Sequence, residues 1–432
     1  WEITQITGIV SGVNVGDTGI QNVIGTITNT SANTAIVEYT ITATSANGCV
    51  GTPFKINVSI TSEPVVPNQT ITVCSDENLN QTFNASTSVV ADTYNITNLE
   101  TNGLSISAGN PAVANGLLAN DLEDDAFTNL TNAPVDVIYT VVPVSGSNCE
   151  GEPFSVTVTV NPEPVVANQT TTVCSDEILG FTLENDPNGP DVASYNLTNI
   201  TSNELTAASG NTTQQNGLSS DAISNDSWNN ITDTALDVVY TFIPVGDNGC
   251  LGDPFTVTVT VNPEPVVTNQ TTTVCSDEAL GYILANDVDT PNVASYNLTS
   301  IVDNGLIPAS GNIVIQNGFL NDAISNDSWN NITSAALDVI YTFVPVGDNG
   351  CLGDDFTVTV TVNPEPVVTN QTITVCSDEN LNQAFNASTS VAADTYNVTN
   401  LQTNGLSISA GNPDVANGLL ANDLEDDAFT NL

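Results

Sequence analysis

Cysteines and carboxylates are the side chains of this sequence that could do chemistry. The 432 residues include 8 Cys and 49 Asp+Glu, but a single Lys (Lys55), no Arg, no His and no Met. Without His there is no Ser-His-Asp or Cys-His nucleophile pair and no imidazole metal site. The formal net charge of −48 would repel nucleic acids and anionic membrane surfaces. A metal-free carboxylate-pair hydrolase is the one common catalytic class that these residues still allow.

Some of the carboxylates recur at fixed positions in loops rich in Asn, Asp and Gly. Loops with many oxygen atoms suit Ca²⁺, which takes six to eight oxygen ligands. No EF-hand pattern is present, and Asp and Asn also form ordinary solvated turns. Calcium is thus a candidate ligand and not a required cofactor. Its candidate ligands are Asn120, Asp125, Asp221, Asp226, Asp322 and Asp327.

The cysteines recur at a constant spacing, which favours disulfides over zinc and predicts an oxidising compartment. One pairing lies within repeats and leaves Cys49 and Cys376 to partners outside the sequence. Its bridges are Cys74–Cys149, Cys174–Cys250 and Cys275–Cys351. The other pairing joins each hairpin cysteine to the next cysteine along the chain, across a repeat boundary, as in Cys149–Cys174. We favour the first, because a strand carries the chain about 30 Å from the hairpin cysteine before the next cysteine is reached.

The cysteines belong to an internal repeat of about 100 residues. The string Asn-Pro-Glu-Pro-Val-Val begins at Asn161, Asn262 and Asn363. Self-comparison gives complete copies at 63–162, 163–263 and 264–364, the back part of a copy at 1–62 and the front part of another at 365–432. Such periodicity is typical of arrays. Since both ends fall inside a repeat, we expect the sequence to be part of a longer array.

Within each copy the pattern predicts short β-strands. Residues 154–160 alternate strictly between apolar and polar, and Ser145–Asn148 is predicted to form the loop of a hairpin before them. About seven such strands per copy predict an all-β, immunoglobulin-like sandwich. We therefore expect a tandem array of sandwich domains that forms an extended rod. No run of about 18 apolar residues is present to span a bilayer.

Aromatic residues recur at four positions of the repeat. They could be platforms for sugar stacking, but we favour a core position for each, because Phe and Trp interchange at one of them. The positions are Tyr94, Tyr195, Tyr296 and Tyr396; Phe127, Trp228, Trp329 and Phe429; Tyr39, Tyr139, Tyr240 and Tyr341; and Phe54, Phe154, Phe255 and Phe356.

The hairpin and the strand after it carry a family resemblance. Cys149-Glu150-Gly151-Glu152-Pro153-Phe154, followed by the alternating strand and Asn161-Pro162, resembles the PKD-like repeat of giant Bacteroidota surface proteins, and Val73-Cys74-Ser75 matches the same pattern. The resemblance covers the whole chain, although Tyr139 stands where many members have Trp. It implies an extracellular adhesin of the gliding-motility type, associated with the outer membrane and exported by type IX secretion.

The interpretation that we favour is a stalk segment of a cell-surface adhesin. Its partners would be the neighbouring repeats, together with a surface or polysaccharide bound by regions outside this sequence. Near-identical sandwiches offer no obvious cleft, so we expect no enzymatic activity. Two alternatives stay open: a glycan-binding repeat module, which glycan-array binding would reveal, and an S-layer or sheath subunit, which ordered lateral self-association would reveal.

Overall fold

The computed structural model describes residues 1–20, 26–29, 31–187, 189–287, 291–410 and 415–431. These residues form β-strands, turns and irregular segments, so the expected all-β class is confirmed. The unit at the N-terminus contains β1 (Glu2–Thr7), β2 (Val10–Ser11), β3 (Thr28–Asn29), β4 (Ala35–Ile41) and β5 (Phe54–Ile60).

The first two complete repeats have seven strands each, in the same order. Repeat 63–162 has β6 (Gln69–Cys74), β7 (Thr93–Glu100), β8 (Ser105–Ala108), β9 (Ala114–Leu117), β10 (Ala126–Thr128), β11 (Val135–Val144) and β12 (Phe154–Asn161). Repeat 163–263 has β13 (Gln169–Cys174), β14 (Val192–Thr201), β15 (Thr206–Ala207), β16 (Gln215–Leu218), β17 (Trp228–Asn229), β18 (Leu236–Gly246) and β19 (Phe255–Asn262).

The third repeat and the last unit follow the same plan. Repeat 264–364 has β20 (Gln270–Cys275), β21 (Val293–Val302), β22 (Ile307–Pro308), β23 (Trp329–Asn330), β24 (Leu337–Gly347) and β25 (Phe356–Asn363). Residues 365–432 contribute β26 (Tyr396–Val398), β27 (Ser407–Ala410), β28 (Ala416–Leu419) and β29 (Ala428–Thr430).

Each complete repeat contains a large sheet and a small two-stranded one. In repeat 63–162 the large sheet has the order β6-β12-β11-β7-β9, and β8 pairs with β10 in the small sheet. The hairpin of β11 and β12 is antiparallel, whereas β6 lies parallel to β12. Because of this parallel pairing, the first and last strands of a repeat point the same way and end side by side, with Cys74 opposite Asn161.

The alternating sequence of the last strand follows from the burial of one face. Phe154, Val156, Val158 and Val160 point into the core, while Ser155 and the threonines between them are partly exposed. Fully burying each valine contributes about 1.5–3 kcal/mol. Each complete repeat has its own core of this kind.

The aromatic positions lie in these cores, as the sequence predicts for the complete repeats. Tyr139, Tyr240 and Tyr341 are fully buried, and Phe154, Phe255 and Phe356 nearly so. Outside the complete repeats Tyr39 is buried, Tyr396 and Phe429 are half-buried, and Phe54 on β5 is 50% exposed. In the complete repeats the equivalent last strand is flanked by a first strand such as β6, whereas β5 pairs only with β4 in the part of the chain that the structure describes.

Candidate functional site: the junction between repeats

Both disulfides cross a junction between two repeats. Cys74 is bonded to Cys250 and Cys174 to Cys351, with Cα–Cα distances of 5.6 Å in each case. The bonds thus join the first strand of one repeat to the hairpin loop of the next. The predicted pairing within repeats is wrong, and the alternative pairing between consecutive cysteines across a boundary does not occur either.

The parallel first strand explains why the pairing within a repeat fails. Cys74 ends β6 beside Asn161, at the end of the repeat where the chain leaves it. Cys149 lies in the hairpin loop before β12, at the other end of the same sheet. The eight residues of β12 separate these ends by about 25 Å. Sulfur partners require Cα atoms within about 7 Å, so Cys74 can reach only the hairpin of the following repeat.

The hairpin of each following repeat packs on the linker that precedes it. Asn248 Nδ2 donates to the carbonyl oxygen of Pro162 at 2.9 Å, and the backbone of Gly252 lies against Pro164. A Cβ atom at Gly252 would lie 1.9 Å from the Pro164 oxygen, so this close approach requires glycine. Pro162 and Pro164 are buried as a result, and Asn349 and Gly353 repeat both contacts at the next junction.

A buried asparagine holds the strand end that carries the cysteine. Asn230 Nδ2 donates to the carbonyl oxygens of Thr234 and Val261, both at 2.8 Å. Its backbone N–H donates to Oγ of Ser175, the residue after Cys174, at 3.0 Å. Asn129 and Asn331 make the same contacts in the other two complete repeats. The end of the first strand is therefore anchored to the last strand before the chain enters the linker.

The linker glutamates lie among other carboxylates at these junctions. Glu264 lines a cavity together with Asp176 of the preceding repeat and Asp354 of the following hairpin. Burial raises the pKa of Glu264 to about 7, and the negative charges of Asp176, Asp354 and Glu177 add to the increase. The pKa of Glu163 is raised to about 7 in the same way, by burial and then by Asp76, Asp253 and Glu77. The only lysine, Lys55, is paired with Glu38 instead.

We expect the two junctions to be more stable in acid than at pH 8. Both glutamates have a folded-state pKa above the ordinary 4.5, so the folded state binds protons more tightly. The stabilisation is complete below about pH 4.5 and is lost as the pH rises through 7. At pH 8 the Glu163→Gln/Glu264→Gln variant should therefore melt at a higher temperature than the native chain. The expected gain in unfolding free energy is about 1 kcal/mol after discounting for solvent screening.

The matched control for this prediction is Glu63→Gln. Glu63 precedes Pro64 in the equivalent linker but is exposed, so its substitution should leave the melting temperature unchanged. Melts of the three proteins at pH 5, 6, 7 and 8 give the comparison. A native chain whose stability does not change over this range would contradict the prediction.

The candidate calcium aspartates are buried hydrogen-bond acceptors. Asp125 accepts from the Tyr139 hydroxyl at 2.8 Å and from the Asn110 N–H at 3.1 Å. Tyr240 and Tyr341 donate to Asp226 and Asp327 in the same way. Burial raises the pKa of Asp125 to about 6 and also raises that of Asp327. These carboxylates therefore hold a core tyrosine in each repeat.

The other three candidates are on the surface. Asn120, Asp221 and Asp322 are exposed in the loop that precedes these aspartates. Among the described residues, no three or more His, Cys, Asp or Glu side chains are arranged to hold a metal ion. What the structure shows at the three buried aspartates is a hydrogen bond from a core tyrosine.

We expect calcium removal to have no ion-specific effect on stability. A ligand that binds the native state raises the unfolding free energy by RT ln(1 + [L]/Kd), but the Asp226 carboxylate is already occupied by Tyr240 and Thr212. Melting temperatures in chelator, with NaCl raised to the same ionic strength, should equal those in calcium. A loss of several degrees that NaCl does not restore would contradict this, and Asp221→Asn, at an exposed position of the same loop, would localise the effect.

Four cysteines are unpaired in the part of the chain that the structure describes: Cys49, Cys149, Cys275 and Cys376. The favoured sequence pairing predicts partners outside this sequence for Cys49 and Cys376, and Cys149 and Cys275 lack the partners that it predicts for them. Cys149 Sγ lies 2.6 Å from Thr61 Oγ1. Thr61, just after β5, is the repeat position equivalent to Asn161, the last residue of β12. Asn161 lies beside Cys74, the partner of Cys250. Cys149 therefore lies at the junction before repeat 63–162 where Cys250 lies at the junction after it.

No described helix has the length and apolarity needed to cross a membrane. The disulfides, together with the repeats, have the character of a secreted or surface protein.

Comparisons with known proteins agree with the fold. The model of the PKD-like domain family matches residues 1–64, 71–164, 171–265 and 272–366. A search of curated protein sequences gave no match.

Among solved structures, Drosophila N-cadherin EC1-4 is 12% identical, with 77% of this chain and 84% of that chain covered and a TM-score of 0.17. The titin I-band fragment I67-I69 is 11% identical, with 69% and 97% covered and a TM-score of 0.27. Bacteroides ovatus SGBP-B, solved with a mixed-linkage heptasaccharide, is 13% identical, with 69% of both chains covered and a TM-score of 0.15. TM-scores this low carry no functional argument.

Proposed function

The chain belongs to the PKD-like domain family, and we propose that it is a stalk segment of a repetitive cell-surface adhesin. The observation that carries this proposal is the junction between complete repeats, where a disulfide, a buried linker and a packed hairpin fix one repeat to the next. A stalk needs this kind of joint, because it must hold a distal binding region at a distance from the cell. Its work is positional and mechanical and requires no catalytic residue.

Three further parts of the proposal rest on the resemblance and on charge. The adhesin would be of the gliding-motility type, associated with the outer membrane and exported by type IX secretion. Regions outside this sequence would bind the surface or polysaccharide. The net charge of −48 would limit lateral aggregation between neighbouring stalks, since like charges repel.

The buried aromatic side chains argue against the glycan-binding alternative. Sugar stacking requires an exposed ring face, but Tyr94, Trp228 and Tyr240 lie inside the cores. We therefore expect no binding of this chain to a glycan array.

Small-angle X-ray scattering and negative-stain microscopy of the whole chain test the stalk. Strands of eight residues plus a linker give a rise of about 40 Å per repeat, so we expect a rod of roughly 150 Å. A variant that lacks residues 163–263 should be shorter by about 40 Å and should keep the rod form. A compact particle with no long dimension would overturn the proposal.

A further inference from the structure

The disulfides connect chain segments that each run the length of two repeats. The segment from Cys149 to Cys174 contains β12, the linker and β13. It starts at the near end of repeat 63–162, beside Thr61, and ends at the far end of repeat 163–263, where Cys174 bonds to Cys351. Equivalent segments of the same length connect Cys49 to Cys74, Cys250 to Cys275 and Cys351 to Cys376.

These segments have almost no slack. Residues 154–161 and 169–174 are extended strands, and the linker between them contains Pro162 and Pro164, which favour extended backbone. A segment as long as that from Cys149 to Cys174 spans about 80 Å in a strand and at most about 90 Å when pulled straight. Pulling such a segment straight therefore adds only about 10 Å to its extended length.

The bonds join these segments end to end into two covalent tracks. The first runs from Cys49 to Cys74, crosses the bond to Cys250 and continues to Cys275. The second runs from Cys149 to Cys174, crosses to Cys351 and continues to Cys376. Residues 175–249, which hold most of the core of repeat 163–263, lie on neither track.

We propose that the disulfides make the array an inextensible tether, in which tension passes along the first and last strands of the repeats and bypasses the rest of each domain. This inference rests on the proposed stalk function and specifies how the stalk carries tension. An array without these bonds lengthens when a domain unfolds, by about 300 Å for a domain of about 100 residues. On a track, unfolding of the bypassed residues adds no length, because the covalent path does not include them.

Optical-tweezers measurements on the full chain test the inference. Cys49 and Cys275 are exposed and unpaired, so they can take handles once Cys149→Ser and Cys376→Ser remove the other free thiols. The covalent path between the handles then consists of the segments Cys49–Cys74 and Cys250–Cys275 and the disulfide that joins them. We expect a length close to about 170 Å at all forces below bond rupture, with no unfolding steps. Reduction by a phosphine should allow a lengthening of about 600 Å.

Two further variants form a matched pair, since each loses one disulfide. Cys74→Ser/Cys250→Ser removes the bond on the track between the handles, and we expect a lengthening of hundreds of ångströms. Cys174→Ser/Cys351→Ser removes the bond on the other track, and the length should stay as in the parent. Equal behaviour of the two variants, or steps of hundreds of ångströms in the oxidised parent, would overturn the inference. If the tether inference failed in this way but scattering still showed a rod, the proposed stalk function would stand.

Discussion

Replacing Cys174 and Cys351 by serine is expected to lower the unfolding free energy of the two repeats that they join by up to about 5 kcal/mol. The bond closes a loop of 177 residues, and in the chain-entropy model a longer loop removes more freedom from the unfolded state. The hairpin contacts of Asn349 and Gly353 with the linker remain in the variant, so the junction should weaken without disappearing. Differential scanning calorimetry of the native and variant chains measures the loss.

The control for this prediction is the Cys149→Ser/Cys376→Ser variant. It removes two cysteines that are unpaired and should melt as the native chain does. If the two variants melted at the same temperature, the Cys174–Cys351 bond would contribute nothing to stability and the prediction would be wrong.

Peptide mapping without reduction checks the linkage itself. Lys55 is the only basic residue, so trypsin is unsuitable and a protease that cleaves at acidic residues is required. We expect a peptide that contains Cys74 joined to one that contains Cys250. Recovery of Cys74 joined to Cys149 would contradict the structure.

The fold could be predicted from the sequence because its signals are local. The alternation of residues 154–160 depends on nearest neighbours along one strand, and the structure buries the expected face. The cysteine pairing could not be predicted from the sequence, because it depends on the direction of the first strand. Spacing in sequence does not show that β6 lies parallel to β12, and an antiparallel first strand would place Cys74 at the hairpin end, near Cys149.

The aspartates that the sequence offers as candidate calcium ligands show a second limit of the sequence. Asp125 lies among other acidic residues and has the pattern of a solvated loop, yet it is buried against Tyr139. A signal was present: in each complete repeat an aspartate is followed by a tyrosine 14 residues later, as in Asp226 and Tyr240 or Asp327 and Tyr341. This fixed spacing indicates contact between a loop aspartate and a tyrosine on a core strand. A calcium-binding loop would not require a tyrosine at a fixed distance along the chain.

The second large effect is expected at Asn230, the buried residue that anchors the end of the first strand. Its side chain has all its hydrogen bonds: Nδ2 donates to the carbonyl oxygens of Thr234 and Val261, and Oδ1 accepts from the N–H and hydroxyl of Thr232. Asn230→Asp keeps the shape but replaces both donors by an acceptor that faces two carbonyl oxygens. We expect a loss of about 3–5 kcal/mol at pH 7, because a buried charge is left without a partner.

Thermal melts of repeat 163–263 within the full chain measure this loss, and their pH dependence distinguishes its cause. The new carboxyl should have a raised pKa, since burial and the facing carbonyls disfavour its charge. Protonation restores one donor, so the variant should regain part of its stability as the pH falls towards 4, where the raised pKa makes the folded state bind the proton more tightly. Asn199→Asp adds the same charge at an exposed position and should change the stability by less than about 0.5 kcal/mol. If Asn230→Asp melted like Asn199→Asp, the asparagine would not anchor the strand end that carries Cys174.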